Sequence, residues 1–372
     1  MEKQHLTYFK IENFKRFDSF EMSNLGQFNL IVGDNNVGKT SVLEALTFDA
    51  NDIFKHAINY YNSFSFRGTF ELESKNITYQ DIQQTDFWQF IYKDINKPVR
   101  IIIKGYEDFH LTFLLKPHRE LDDDEKYLLK NGVINIVPDN WLIGTYDSDN
   151  YVIKDQSIMP AYFEGLSINL KPNEKNYLPY IPANIGYKGD VLDVYYKFYN
   201  SNKALRKELE REVSFFIVDL EEFRPHKLSS SHEVLGVSLK NDNTIRPLSM
   251  FGDGTVKATR IFLEIIVAQG HRLMIDEIGD GIHFSKLKDF WKAVINAHSK
   301  YSVQLFATTH SLECQQAFIE ALQDDDMKQF QSDARNITMI EDTEGQVKAI
   351  TYDFEQFEYA INIGFNTRGG KL

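Results

Sequence analysis

The residues Gly33-Asp34-Asn35-Asn36-Val37-Gly38-Lys39-Thr40 fall on the spacing G-x-x-x-x-G-K-[ST], and each position has a chemical reason. Gly33 and Gly38 let the backbone curl, so that the N–H groups from Asn35 through Val37 and on to Ser41 can point at phosphate oxygens. Lys39 is placed to reach the β- and γ-phosphates of a nucleotide, and the Thr40 hydroxyl to ligate Mg²⁺. Far along the chain, Leu273-Met274-Ile275 ends in Asp276-Glu277. Carboxylates at the carboxyl end of a buried strand sit at the mouth of a parallel sheet. There Asp276 would hold the Mg²⁺ water shell, and Glu277 would orient and deprotonate an attacking water. A second apolar run, Val303 to Ala307, leads into Thr308-Thr309-His310-Ser311, which puts His310 at the same edge as a γ-phosphate sensor.

The elements that must position these groups can be read around them. Phe28-Asn29-Leu30-Ile31-Val32 is almost wholly apolar, as in a strand covered on both faces, and the phosphate loop follows it directly. Val42, Leu43 and Leu46 then share one stripe of a helix. Before this unit, Leu6, Tyr8, Phe9 and Ile11 predict a strand closed by a polar turn at Glu12-Asn13. From about Phe64 to Leu170 the chain is rich in short β-forming runs with aromatics, which predicts antiparallel hairpins and an acidic, solvated loop at Leu121-Asp122-Asp123-Asp124-Glu125. Pro172, Pro179 and Pro182 mark a boundary, after which residues 191–216 have helical spacing interrupted near Asn200-Ser201. A strand-and-turn segment leads to Pro247. Beyond it, a helix starting near Val256, a helix with Leu287, Phe290 and Val294 on one face, and a hairpin turning at Glu344-Gly345 are expected.

Composition narrows the class. The chain has 372 residues, 42% hydrophobic and 26% charged, an ordinary globular balance that excludes disordered and collagenous proteins. A net charge of −13 argues against a general nucleic-acid coat, since phosphate binding needs a positive surface. The single cysteine, Cys314, suits a reducing, cytoplasmic setting, and no apolar run approaches the roughly 20 residues of a membrane-spanning helix.

Together these motifs resemble ATP-binding-cassette ATPases of the SMC-like and OLD-like kind, as in the RecF and OLD proteins. The likeness covers about residues 1–60 and 245–365 and reaches the intervening stretch only in layout. It implies an α/β fold: a P-loop core split between residues 1–60 and 245–372, a β-rich part over 61–180 and a helical lobe over 181–244. KIENFKRF resembles that family's first strand and turn, which would bring Lys15 and Arg16 near the nucleotide phosphates. Such ATPases pair head to head, each ATP lying between one subunit's phosphate loop and the other's signature segment. The signature candidate is Phe251-Gly252-Asp253-Gly254-Thr255, with Gly252 where the family usually has serine; a second register uses Ser249. The family's Q-loop glutamine has no counterpart in Tyr180-Ile181-Pro182-Ala183-Asn184-Ile185-Gly186, where Asn184 could substitute.

The stretch near Tyr352 and Gly364-Phe365-Asn366-Thr367-Arg368 also looks family-like, so the chain is expected to be complete. No TOPRIM segment, long coiled-coil arm or HNH-type Cys/His pairing is recognisable, and Asp324-Asp325-Asp326 reads as a solvated loop. The resemblance thus implies an ATPase without a nuclease of its own, using ATP and Mg²⁺. It would dimerise and gate a separate effector such as a nuclease or toxin, in bacterial antiphage defence. A RecF-like DNA-repair ATPase, with Lys203, Arg206, Lys207 and Arg211 as its DNA track, and a slow nucleotide-dependent scaffold are the alternatives.

Overall fold

Alternate side chains of the apolar strands are buried on opposite faces of one sheet, and this explains why those strands carry so few polar residues. A computed structural model describes residues 5–48, 91–105, 108–117, 140–148, 151–160, 180–183, 191–230, 232–242 and 244–364. The acidic run at 121–125, Asn184 and the segment from Phe365 onward lie outside the described residues.

In chain order, β1 (Leu6–Phe14), β2 (Phe17–Ser23) and β3 (Phe28–Gly33) precede α1 (Lys39–Ala45). Then come β4 (Val99–Gly105), β5 (Phe109–Pro117), β6 (Asn140–Ser148), β7 (Tyr151–Pro160) and the two-residue β8 (Tyr180–Ile181). Helical turns Val191–Val194 and Tyr195–Tyr199 lead to α2 (Lys203–Val213) and to β9 (Leu220–Lys227), β10 (Glu233–Leu239) and β11 (Arg246–Pro247). The last part holds α3 (Asp253–Val267), β12 (Arg272–Ile275), α4 (Phe284–Lys300), β13 (Gln304–Thr309), α5 (Leu312–Gln323), β14 (Ala334–Glu341), β15 (Val347–Tyr352) and α6 (Phe354–Asn362).

The central sheet has the order β15-β14-β3-β13-β12-β8, parallel throughout except for β15. Phe28, Leu30 and Val32 of β3, Leu273 and Ile275 of β12, and Leu305 and Ala307 of β13 pack with α3, α4 and α5 in one core. Ile31, Met274 and Phe306 point the other way, into a second core shared with α1 and the antiparallel sheet β2-β1-β4-β5-β6-β7. The period-2 geometry of a strand makes both faces apolar at once. Buried Gln304 ties the layers together: its amide donates to Leu6 O (2.8 Å) and Gly26 O (2.7 Å), and its oxygen accepts from Leu6 N (2.8 Å). These features are those of an ABC-type P-loop core carrying an antiparallel β subdomain.

One local expectation changes, and others gain detail. The turn placed at Glu12-Asn13 falls instead at Lys15-Arg16, because β1 continues to Phe14, which pairs with Phe17. The polarity of Asn13 suggested the turn, but its amide is spent on Asp94 O (2.9 Å) and Lys97 O (2.7 Å), and its φ is 54°. The tail hairpin does form, but its first strand, β14, also joins the central sheet beside β3 in parallel. The strand-and-turn segment expected before Pro247 is β9, β10 and β11, which make an antiparallel sheet. Asp324-Asp325-Asp326 is a loop with Asp325 and Asp326 exposed, and it also pairs with α4: Asp324 meets Lys288 (2.8 Å) and Lys292 (3.0 Å), and Asp326 meets Lys292 (3.0 Å).

His298, wholly buried on α4, supports a pH prediction. Its Nδ1 bonds Val294 O (2.9 Å), and burial pushes its pKa down to about 4. An unfolded histidine titrates near 6.5, so between about pH 6.5 and 4 the unfolded chain binds the extra proton. The contribution of His298 to stability is therefore full above pH 6.5 and falls by about 1.4 kcal/mol per pH unit between there and about pH 4. Denaturant midpoints at pH 7.5 and 5 should show this slope, and His298→Leu should flatten it by one proton equivalent; an unchanged slope in the variant would assign it elsewhere.

Candidate functional site

The phosphate loop leaves β3 at Gly33 and enters α1 through Gly38, and neither glycine can be replaced without moving backbone. A Cβ at Gly33 would lie 2.8 Å from Met339 O. At Gly38, where φ is 101°, it would lie 2.5 Å from the Phe17 ring. Val37 is buried and pins the loop to the core, while Asp34, Asn35 and Asn36 face solvent. Asn36 takes a left-handed φ of 65°, which asparagine tolerates better than most residues. The helix therefore opens with no side-chain cap, its first N–H groups left for an incoming anion, and Ser41 half-buried in its first turn.

Lys39 is folded across the loop. Its ammonium donates to Gly33 O (2.7 Å) and Asp34 O (3.1 Å) and is only 6% exposed. Burial pushes its pKa down, and the charges of Glu277, Asp276 and Asp34 pull it back up. At the carboxyl end of β12, the Asp276 carboxylate accepts from the Thr40 hydroxyl (2.9 Å) and from the Thr308 hydroxyl (2.5 Å), while Asp276 N donates to Ile181 O (2.8 Å). Thr308 Oγ1 also accepts from Glu277 N (2.8 Å), so one buried hydroxyl joins both acids. Glu277 sits at φ 48°, a conformation unusual for a non-glycine residue and characteristic of functional turns. Its Oε2 accepts from His310 N (3.1 Å) and faces His310 Nδ1 at 2.8 Å. In the tautomer protonated at Nδ1 the ring donates to that carboxylate.

The structure thus brings Lys39, Thr40, Asp276, Glu277 and His310 to one sheet edge. Lys15 and Arg16 flank it differently. Lys15 pairs with buried Glu44 on α1, and Arg16 pairs with Glu341 at 2.9 Å while its side chain runs alongside Gly38. The Gly252-Asp253-Gly254 turn opens α3 and packs on the 279–281 turn: a Cβ at Gly254 would lie 2.1 Å from Gly281 O. Gly252 has φ 87° and ψ 156°, a backbone that serine adopts poorly, which accounts for glycine at that position. Ser249 is exposed in the preceding 3-10 turn.

Three residues of this region have roles that motif reasoning did not assign. Thr308 was legible only as the end of an apolar strand. Lys257 of α3 is buried beneath Glu277. Arg272 donates to Leu46 O (2.7 Å) and, through its second nitrogen, to Phe48 O, satisfying carbonyls at and just beyond the end of α1. The basic residues proposed for a DNA track are largely spent on neighbours: Lys207 pairs with Glu210 (2.8 Å), Arg211 with Glu212 (2.7 Å), and Arg206 bonds Tyr199 O (3.2 Å). Among the described residues no helix is long and apolar enough to cross a membrane.

Residues 28–313 match the model of the family "AAA domain, putative AbiEii toxin, Type IV TA system". An ATP/GTP phosphatase of Helicobacter pylori is 24% identical over 330 residues, covering 84% of this chain and 86% of that protein. Among solved structures, the SMC head domain from Thermotoga maritima is similar at 10% identity, 94% and 100% coverage and a TM-score of 0.40. The Pyrococcus furiosus Smc head with an extended coiled coil, bound to the C-terminal domain of ScpA, is similar at 9% identity, 96% and 99% coverage and a TM-score of 0.44.

Proposed function

We propose, starting from a chain that belongs to the family "AAA domain, putative AbiEii toxin, Type IV TA system", that this ATPase closes as a head-to-head pair around Mg-ATP and gates a separate effector in bacterial antiphage defence. The observation that carries the catalytic part is the Glu277–His310 contact at 2.8 Å, placed beside the Thr40–Asp276 pair. Lys39, now satisfied by loop carbonyls, is free to exchange them for phosphate oxygens. Glu277 takes the proton of an attacking water, and His310 holds the carboxylate in place through that transfer. The H. pylori relative, described as an ATP/GTP phosphatase, accords with hydrolysis here.

The donor set fits a magnesium ion. Thr40 Oγ1 and Asp276 Oδ2 are hard oxygen donors 2.9 Å apart, the type that Mg²⁺ selects. Thr40 and Asp276 would hold the ion, which would supply charge neutralisation for phosphoryl transfer. In this reading residues 1–60 and 245–372 make the nucleotide-binding core, 61–180 its β-rich part, and 181–244 the helical lobe.

Support for pairing comes from the surface around the Gly254–Gly281 contact, where Met250 is 71% and Phe284 70% exposed. These two side chains flank the contact in sequence on both of its segments of chain, apolar area that a second head would cover. The test is light scattering of Glu277→Gln with ATP and Mg²⁺: mass should double, and should return to monomer when Met250 and Phe284 are both changed to Ser. A monomer that does not change with ATP would count against the paired mechanism. Turnover indifferent to duplex DNA at two salt concentrations fits a protein effector; salt-sensitive stimulation by DNA would transfer the assignment to a repair-type ATPase.

A further inference from the structure

Lys257, in the second turn of α3, lies beneath the catalytic turn, and its contacts there are specific. It is 5% exposed, and its ammonium donates to Asp276 O at 3.3 Å and, more closely, to Glu277 O. A buried ammonium is costly unless its protons are used. Burial pushes the Lys257 pKa down, while the carboxylates of Asp280, Asp276 and Glu277, all on the turn it faces, oppose that shift.

The turn needs such a grip. Glu277 holds its left-handed φ of 48° while Ile278 N bonds Thr308 O (2.9 Å) and Glu277 N bonds the Thr308 hydroxyl (2.8 Å). Those bonds fix the turn to β13 only. Lys257 fixes it to α3. Gly254, one helical turn earlier and so on the same face, fixes the far end of the turn through its backbone contact with Gly281. The first turns of α3 are thus joined to both ends of the 276–281 segment, and the exposed Gly252-Asp253 entry lies at the tip of the same helix.

We propose that Lys257 is a positioning residue for hydrolysis: it holds the Glu277 carbonyl so that the carboxylate stays on His310, and it carries displacement of the Gly252–Gly254 turn to the base. This rests on the assignment of Glu277 as general base. Contact of that turn with a nucleotide on a second head would then be felt at Glu277 through one rigid helix.

The test compares Lys257→Met, Lys257→Gln, Lys257→Arg and Glu277→Gln in the full chain, reading kcat, KM for ATP and the thermal shift produced by ATP with Mg²⁺. Lys257→Met should lower kcat by about 10²-fold, with KM within about threefold and the ATP shift retained, because only the base is misplaced. Lys257→Arg should recover turnover to within about tenfold of wild type, since it restores a buried cationic donor. If Met at this position prevents folding, Lys257→Gln, whose neutral amide ends one bond short of the Lys257 ammonium and so does not reach the Glu277 carbonyl, carries the same kcat-selective expectation. The proposal is overturned if the folded Met or Gln variant turns over within about twofold of wild type, or if kcat and ATP affinity fall together, while Glu277→Gln is inactive. Normal turnover by Glu277→Gln would remove the base assignment itself, and this proposal with it.

Discussion

Glu277→Gln is expected to reduce ATP turnover by about 10²–10⁴-fold while leaving nucleotide binding intact. The substitution preserves shape and leaves an amide oxygen to accept from His310 N, which Glu277 Oε2 now engages at 3.1 Å. It also leaves the backbone bonds from Glu277 N to Thr308 and from Lys257 to Glu277 O in place. What is lost is basicity. At about 1.4 kcal/mol per decade, the effect corresponds to roughly 3–5 kcal/mol of barrier, far more than an exposed carboxylate away from the chemistry could contribute. Phosphate release under saturating ATP measures it. Turnover within about threefold of wild type would place the base elsewhere, and Asp280, whose carboxylate lies within 4.8 Å of the Glu277 and His310 ligand atoms, would be the next residue to test.

The parts of the site that share a short stretch of sequence were legible because local chemistry alone specifies them. A loop that must present N–H groups needs Gly33 and Gly38, and a strand buried on both faces reads as an apolar run up to Asp276 or Thr308. Contacts between distant segments were not legible. Arg16 pairs with Glu341, 325 positions away, because β14 lies beside β3 in the central sheet. No periodicity in either segment encodes that neighbour. Lys257 illustrates a different failure. A lysine in an amphipathic helix ordinarily marks the solvated face, and only the approach of Gly254 to Gly281 brings the turn of Asp276 and Glu277 over it. Asn13 misled for a third reason: its polarity belongs to a strand end whose side chain ties down the 94–97 turn, and the same polar amide suits both uses.

Lys39→Met is expected to abolish the stabilisation that ATP gives, yet to leave the ligand-free protein within about 1–2 kcal/mol of wild type. Two terms oppose each other in the free protein. The ammonium makes two charge-assisted bonds, to Gly33 O and Asp34 O, each worth about 1.5–3 kcal/mol. Against them stands the desolvation that drives its pKa down, an effect the nearby acids only partly repay. Methionine removes both terms and fills the same channel with an unbranched chain. With ATP present the balance changes, because phosphate oxygens replace the two carbonyls and the cation then meets full negative charge. A nucleotide at 100 times its Kd should raise wild-type stability by about 3 kcal/mol, a shift easily read in a thermal melt. In the Met variant that shift should vanish, while the melt without nucleotide should move by less than the shift that is lost. Were the variant to retain the full ATP-dependent shift, the phosphates would have to be held by the loop N–H groups and the α1 terminus alone, and Lys39 would be a strut of the loop rather than its cation.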